Sequence, residues 1–534
     1  MASAARAPDP LVQSTGRVND DVLDEILRRP ELGFADLLNI SLTSRRWRSC
    51  AMPLLFGKHT WSPWLGKRRS FPWRTLWPLI RIFVVVGTCD FRVLDAEKRA
   101  VLESHLQHAI QSMTALHTFI FEDLRGGLWP QMLDIISAAP ALAQLKLNES
   151  PWLGEWINAF DLPPSIPSLP LRKFEYIAPH YADDRKTITV TSKRPLHALQ
   201  SEMYNLRTML RASRPSLESV TVPGELILLA FDLSLTWDSL RELFVEGVKP
   251  ESTEISLLSV LHHLPNLRVV SLRWYGASTD PIVPKNVLAI DAFLPRLQQF
   301  QVTSLVSGDR ILSILPLGLE TLVINCYLGV PYRRLPNVLR ASEVLEALSD
   351  VNLPAVTRLE LWYTMDASDE PLLRYLPRAF PYLRHLAIRR YVGRDPDMEA
   401  IWNPAHILQE VLPEFHDLRV FALEADPPER RNNRSLTVHQ FARYLARLRG
   451  VAEESVLMTP WLREIHMRVD FYDPPHWLPH WHIWDVVVDS AQKACLRPRL
   501  AGKREFLEIR AVLEGPLEEL GSDSESETDT DEDF

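Results

Sequence analysis

The chain has 534 residues, 46% hydrophobic and 24% charged, with four cysteines and a net charge of −9. That composition suits a globular protein with a sizeable core, and no uncharged apolar run approaches the ~18 residues that a membrane span needs. The charge is uneven: the last fourteen residues, GSDSESETDTDEDF, hold seven acidic groups and no basic one, leaving the rest at only −2.

The opening, MASAARAPDPLVQSTG, lacks an apolar stretch of signal-peptide length. Residues 1–17 are therefore expected to be disordered and the protein not to be secreted. Cys50, Cys89, Cys326 and Cys495 stand far apart with no CxxC pair, which reads as reduced thiols in the cytoplasm or nucleus.

Helical periodicity begins at Val18. VNDDVLDEIL places Val22, Leu23, Ile26 and Leu27 on one face, with Asn19 or Asp20 as the cap, and Pro30 ends the helix. FADLLNISLTSRRW then sets Phe34, Leu37, Leu38, Ser41 and Leu42 at three- and four-residue spacing, and RSCAMPLLF supplies a third short apolar stretch. Three short helices bury too little surface to stand alone. An outside partner or the rest of the chain must cover their remaining apolar face.

This segment, residues 18–60, resembles the F-box. The resemblance rests on Asp21, Val22, Leu23, Ile26, Leu32, Asp36, Leu37, Leu38, Leu42, Arg46 and Trp47, followed by AMPLLFGKHTW, which looks like the ending common in fungal F-box proteins. The family's opening leucine-proline is missing, with Val18-Asn19 in its place. The resemblance implies docking onto a Skp-type adaptor and, through it, a cullin scaffold and a ubiquitin-conjugating enzyme. Val22, Leu23, Ile26, Leu37, Leu38, Leu42 and Trp47 would make that contact. The alternative is that Leu37, Leu38, Leu42 and Trp47 pack onto the segment that follows.

GKRRSFPWRTLW (66–77) mixes cations with aromatics. It could attract phosphate or serve as a weak nuclear-import patch. As a connector, it is expected to stay solvated while its tryptophans pack over the open end of the next domain.

From Leu79 onward one pattern recurs thirteen times: apolar, two variable residues, apolar, one variable, apolar. It starts at Leu79, Leu116, Leu142, Leu171, Leu217, Leu240, Leu267, Leu297, Leu319, Val356, Leu383, Leu418 and Leu462, at gaps of 22 to 46 residues. The alternation predicts a half-buried strand, and the leading residue sits in the turn entering it. Pro140, Pro215, Pro265, Pro295, Pro354, Pro381 and Pro460 stand two residues before a leading position, where they end the preceding helix. Helical patterns such as KRAVLESHLQHAIQSM, SLLSVLHHL, AHILQEVLPEF and VHQFARYLARL fill the gaps. Strand, helix, parallel strand resembles the leucine-rich-repeat plan, although the family's asparagine or cysteine after the third leucine is mostly absent. The expected fold is an α/β solenoid over residues 61–515, an irregular horseshoe with a parallel sheet. A plain α/β domain is the weaker reading, and a helical array is disfavoured by the Val, Ile, Phe and Tyr content of the strands.

Variable positions between the leucines would face the concave surface. Arg358, Glu360, Trp362, His385, Arg389, Glu464 and Arg468 are the candidates for substrate binding. No single charge sign dominates that face, so nucleic acid is not indicated. HWLPHWHIWD gathers His476, His480 and His482, but Pro474, Pro475 and Pro479 keep them off one helical face. An aromatic-rich loop or cap is expected there, with no metal. No phosphate loop, HExxH or GxSxG occurs, so neither a cofactor nor intrinsic enzyme activity is expected. Residues 516–534 should form a disordered acidic tail, and Ser522, Ser524, Ser526, Thr528 and Thr530 each precede an acidic residue by three positions, which suits acidophilic kinases.

These readings converge on an intracellular substrate-recognition subunit of an SCF-type ubiquitin ligase. The alternative is a leucine-rich-repeat interaction scaffold with no role in ubiquitin transfer.

Overall fold

Each apolar triplet folds into one strand, and within each unit of the chain the strands lie side by side in sequence order. The computed structural model describes residues 19–29, 32–62, 71–86, 96–124, 130–149, 166, 168–177, 196–250, 256–275, 280–284, 293–303, 305–325, 338–349, 351–391, 403–425, 438–459, 461–473, 476–488 and 494–498. The chain divides into two units, Met1–Tyr363 and Thr364–Phe534. The first opens with three helices, α1 (Asp20–Leu27), α2 (Phe34–Thr43) and α3 (Arg45–Phe56). Its strands are β1 (Lys58–Trp61), β2 (Ile82–Val86), β3 (Thr118–Leu124), β4 (Gln144–Glu149), β5 (Lys173–Ile177) and β6 (Ser219–Pro223). They continue with β7 (Glu242–Val248), β8 (Val269–Tyr275), β9 (Gln299–Thr303), β10 (Thr321–Asn325) and β11 (Arg358–Thr364). Every neighbouring pair from β1 to β11 is parallel.

The second unit holds β12 (His385–Tyr391), β13 (Val420–Ala425) and β14 (Glu464–Asp473), which are parallel. β15 (His476–Val488) and β16 (Ala494–Pro498) close it as antiparallel strands. Parallel neighbours need crossover connections of a dozen residues or more. Helices such as Ala96–Ser112, Leu196–Ser213, Asp369–Ala379 and Val438–Met458 provide them. The architecture is thus three N-terminal helices followed by strands that are mostly parallel.

Twelve of the thirteen triplets keep the expected register, each strand starting two residues after the leading apolar residue. None of the apolar positions in these twelve is more than 4% exposed. The first triplet is shifted by one. A 3-10 helix, Arg74–Leu79, runs up to the strand, and Phe83 aligns with Phe119 of β3. Phe83 and Val85 therefore align with the inward Phe119 and Phe121, and Ile80 takes the leading place in the turn, although Val84 is buried as well. Six of the seven prolines lie in the turn before the leading residue; Pro460 is outside the described residues.

One carbonyl per strand entry sets the register. The Arg81 carbonyl accepts from the amides of His117 and Thr118, both at 3.0 Å, and that of His117 accepts from Ala143 and Gln144 at 3.0 and 2.8 Å. The same two-donor arrangement repeats at Ala143, Arg172, Glu218, Arg241, Arg268, Gln298 and Glu320 in the first unit, and at Arg384 and Arg419 in the second. Its first rung lies at the end of α3, where the Gly57 carbonyl accepts from Arg81 and Ile82 at 2.8 Å each. The sheet thus begins inside the segment 18–60, at Lys58.

Gly57 is glycine for a steric reason: a Cβ there would sit 2.2 Å from the Pro53 carbonyl oxygen. Gly57→Ala must shift α3 or the first rung. We expect a loss of about 1–3 kcal/mol, read by urea unfolding. A variant as stable as the parent would show that this approach is not held.

The connector is more packed than expected. Phe71 meets Trp61 edge-on at 4.9 Å and His105 at 4.5 Å. Trp77 is buried, and its indole N–H donates to the Pro72 carbonyl at 2.9 Å. The cluster also reaches Phe83 of β2, at 6.0 Å from Phe71, so it packs beneath the first two strands. Trp73 stays exposed. HWLPHWHIWD forms part of β15 rather than a loop, because its backbone pairs with β14 from Glu464 to Asp473. The acidic tail lies outside the described residues. Among those described, no helix is long and apolar enough to cross a membrane.

Candidate functional site

The three helices are tied by a few specific contacts. The Gly33 amide donates to the Asp36 carboxylate at 2.9 Å at the start of α2, and the Ser44 hydroxyl accepts from the Trp47 amide at 3.2 Å at the start of α3. Such caps satisfy amides that a helix start leaves unpaired. Arg46 of α3 pairs with Asp20 of α1 at 2.8 Å, and the Arg48 guanidinium donates to the Ser41 carbonyl of α2 at 3.1 Å. Leu27, Ala51 and Leu55 form the inner cluster, against which Leu32, Leu37, Ile40 and Trp47 pack.

That packing divides the adaptor-contact residues expected from sequence. Leu23 is buried, while Leu37 and Trp47 are half-buried in the trio's own core. Leu37 and Trp47 thus pack against the inner cluster of the trio, and Leu23 is covered as well. Val22 and Ile26 of α1 are 45% and 39% exposed, and Leu38 and Leu42 of α2 are 42% and 66% exposed. Phe34, 64% exposed, extends the α2 stripe by one turn. Its place was legible, since 34, 38 and 42 recur at the four-residue spacing of one helix face. Phe34, Leu38 and Leu42 together form an exposed apolar stripe on a single helix. Fully covering each such side chain contributes about 1.5–3 kcal/mol.

The variable strand positions are less open than expected. In the first unit Arg358 is exposed and Glu360 half-buried, but Trp362 is only 9% exposed. Its indole N–H donates to the Glu360 carboxylate at 3.0 Å, which holds the ring down. In the second unit His385 is half-buried. Arg389 is 2% exposed, because the register sets it beside Glu424, at 2.5 Å, and over the Tyr391 ring at 4.9 Å. It is a buried ion-pair residue rather than a solvent-facing one. Glu464 is bonded to His466 at 2.8 Å. Arg468 lies in β14 opposite Trp481; its side chain is outside the described residues. No group of His, Cys, Asp or Glu among the described residues could hold a metal ion.

Charges pair both within and between strands of the first unit. Lys146 and Lys173 reach Glu175 at 3.1 and 2.7 Å, and Arg273 reaches Glu246 at 2.9 Å. Burial pushes the Glu175 carboxyl up, but the two lysines outweigh it and the net shift is downward. A carboxylate held below its usual range adds stability above its unfolded pKa, and that is lost as pH falls through the folded value. The stability gap between the parent and Glu175→Gln should therefore shrink on acidification below about pH 4.5. Urea midpoints across that range provide the check, and a gap independent of pH would refute it.

Residues 17–59 match the family model of the F-box domain. No curated protein matches the chain. Among solved structures, the yeast Rad7 and Elc1 complex superposes with a TM-score of 0.28 at 12% identity, covering 78% of this chain and 90% of that one. The TLR13–ssRNA13 complex gives 0.23 at 11% identity, covering 70% of this chain and 58% of that one. Superpositions this loose carry no argument about fold or function.

Proposed function

We propose that this chain is the substrate-recognition subunit of an SCF-type ubiquitin ligase. The F-box domain at residues 17–59 docks a Skp-type adaptor through the outer faces of α1 and α2. The observation that carries the reading is the exposed stripe Phe34, Leu38 and Leu42 on a helix inside that domain. An amphipathic helix laid in an apolar groove is a general recognition mode, and it uses anchors at this spacing.

The strands that follow form a leucine-rich-repeat solenoid, supported by the parallel order of β2 to β11 and of β12 to β14 and by the buried triplet in each. Its variable positions select the target protein; Arg358, exposed beside the tethered Glu360–Trp362 pair, is the most accessible candidate. The chain itself catalyses nothing and works in the cytoplasm or nucleus. Its partners supply ubiquitin transfer, and holding both in one complex raises their effective concentration.

Co-purification of the full chain from its native host tests this. A Skp-type adaptor and a cullin are expected in stoichiometric amounts. Recovery of the folded chain with neither would favour a repeat scaffold without a ubiquitin role.

A further inference from the structure

The row of residues whose carbonyls organise strand entry differs in charge between the two units. In the first unit it is mixed: Arg172 stands 3.9 Å from Glu218, the Arg241 guanidinium donates to the Asp238 carbonyl at 2.6 Å, Arg268 is exposed, and the uncharged Gln298 and the acidic Glu320 follow. In the second unit it is arginine at every rung. The Arg384 carbonyl accepts from the Arg419 amide at 2.8 Å, and the Arg419 carbonyl from the Arg463 amide at 2.8 Å. Arg384 and Arg463 are exposed and Arg419 half-exposed. Among the described residues none of the three has a side-chain hydrogen bond or an ion pair. Neighbouring strands lie about 4.8 Å apart, so three unneutralised cations fall within roughly 10 Å of one sheet edge. Like charges stacked this way destabilise a sheet unless an anion covers them. The nearest acid on β14, Glu464, is already bonded to His466.

The chain supplies a matching anion. Asp523, Glu525, Glu527, Asp529 and Asp531 fall at every second position. An extended segment would therefore present all five on one side, about 6.7 Å apart. Three consecutive acids then span about 13 Å, close to the length of the arginine row. The path is short. β16 ends at Pro498, opposite Trp484, which is itself opposite Ile465 of β14. The described chain thus stops two strands from Arg463, or about 10 Å. The 22 residues from 499 to 520 can span up to about 70 Å. We infer that the acidic C-terminal segment 521–534 docks in extended form along Arg384, Arg419 and Arg463. Tethering favours it over an acidic segment of another molecule, because a linked site meets its ligand at roughly millimolar effective concentration. This inference does not depend on adaptor binding.

The test uses a fluorescein-labelled peptide of residues 521–534 and fluorescence anisotropy at low salt. It is titrated with the unmodified full chain and with a full chain whose tail is neutralised (Asp523→Asn, Glu525→Gln, Glu527→Gln, Asp529→Asn, Asp531→Asn, Glu532→Gln, Asp533→Asn). The neutralised chain should bind the peptide, and the unmodified chain at least about tenfold more weakly, since its own tail competes. In the neutralised background, Arg384→Gln with Arg419→Gln and Arg463→Gln should abolish binding. Arg463→Gln alone, at an exposed position, should weaken it about threefold, and added salt should weaken it further. Three results overturn the inference: no binding by the neutralised chain, binding unaffected by the arginine changes, or equal binding by the unmodified and neutralised chains. The last would mean that the edge serves an acidic segment from another molecule.

Discussion

Replacing Leu38 and Leu42 together with aspartate should remove capture of a Skp-type adaptor by the full chain and leave its thermal unfolding unchanged. Both side chains stand out from α2, so neither change opens the core around Leu27, Ala51 and Leu55. Each lost leucine forfeits about 1.5–3 kcal/mol of burial in the complex. Each introduced carboxylate must also be desolvated against an apolar groove, at a further cost of several kcal/mol. The total exceeds roughly 5 kcal/mol, more than a thousandfold in Kd. Phe34→Ala should weaken capture as well, less steeply, because truncation leaves no charge behind. Leu37 is unsuitable for the same experiment: it packs inward, so Leu37→Asp would unfold the trio and lose binding for that reason. Adaptor retained at parental affinity by the Leu38/Leu42 double variant would end the proposal that α2 is the docking helix.

The second large effect lies in the second unit. Arg390 points to the helix side of β12, where its Nε–H donates to the Asp369 carboxylate at 3.3 Å and its terminal nitrogen pairs with the other oxygen. Both residues are almost fully buried, and Asp369 also occupies the first turn of the helix Asp369–Ala379. Asp369→Ala takes the carboxylate from a buried guanidinium, which costs about 3–5 kcal/mol. Losing a negative charge at a helix start adds up to about 1 kcal/mol. A double change, Asp369→Leu with Arg390→Met, should recover most of the loss, since apolar replacement of a buried pair is often neutral or stabilising. Urea unfolding of the three proteins distinguishes the cases. A loss under about 1 kcal/mol for Asp369→Ala would show that the pair is not a structural fastening.

The strands were legible because their signal is local. A leucine, two variable residues and an alternating pair state both the turn and the inward face, and twelve of thirteen registers follow from that alone. The exception, at Leu79, arises where a 3-10 helix abuts the strand and the leading residue could be read at either of two adjacent apolar positions. β1 and β15 were not legible as strands of this sheet. The four residues of Lys58–Trp61 are too few for a periodicity, and His476–Val488 carries a proline yet is ordered by pairing with β14. Long-range pairing also decided the variable face. The position of Arg389 depends on Glu424, 35 residues away in sequence and directly opposite in register, which no window around Arg389 reveals. Trp362 and Glu360, two apart on one face, were closer to readable. In the helical trio the spacing identified the apolar residues; the contacts of α3 were needed to tell inward ones from outward ones.

If the chain works as proposed, the Gly57 carbonyl, which carries the first rung of the sheet, bears on how cargo would be presented. The Gly57 carbonyl at the end of α3 is bonded directly to the entry of β2, which ties the three helices to the strands of the first unit. An adaptor docked on Leu38 and Leu42 as proposed would therefore sit on a fixed bearing to those strand faces. Residues inserted before Lys58 would alter the aim of the complex as well as its reach.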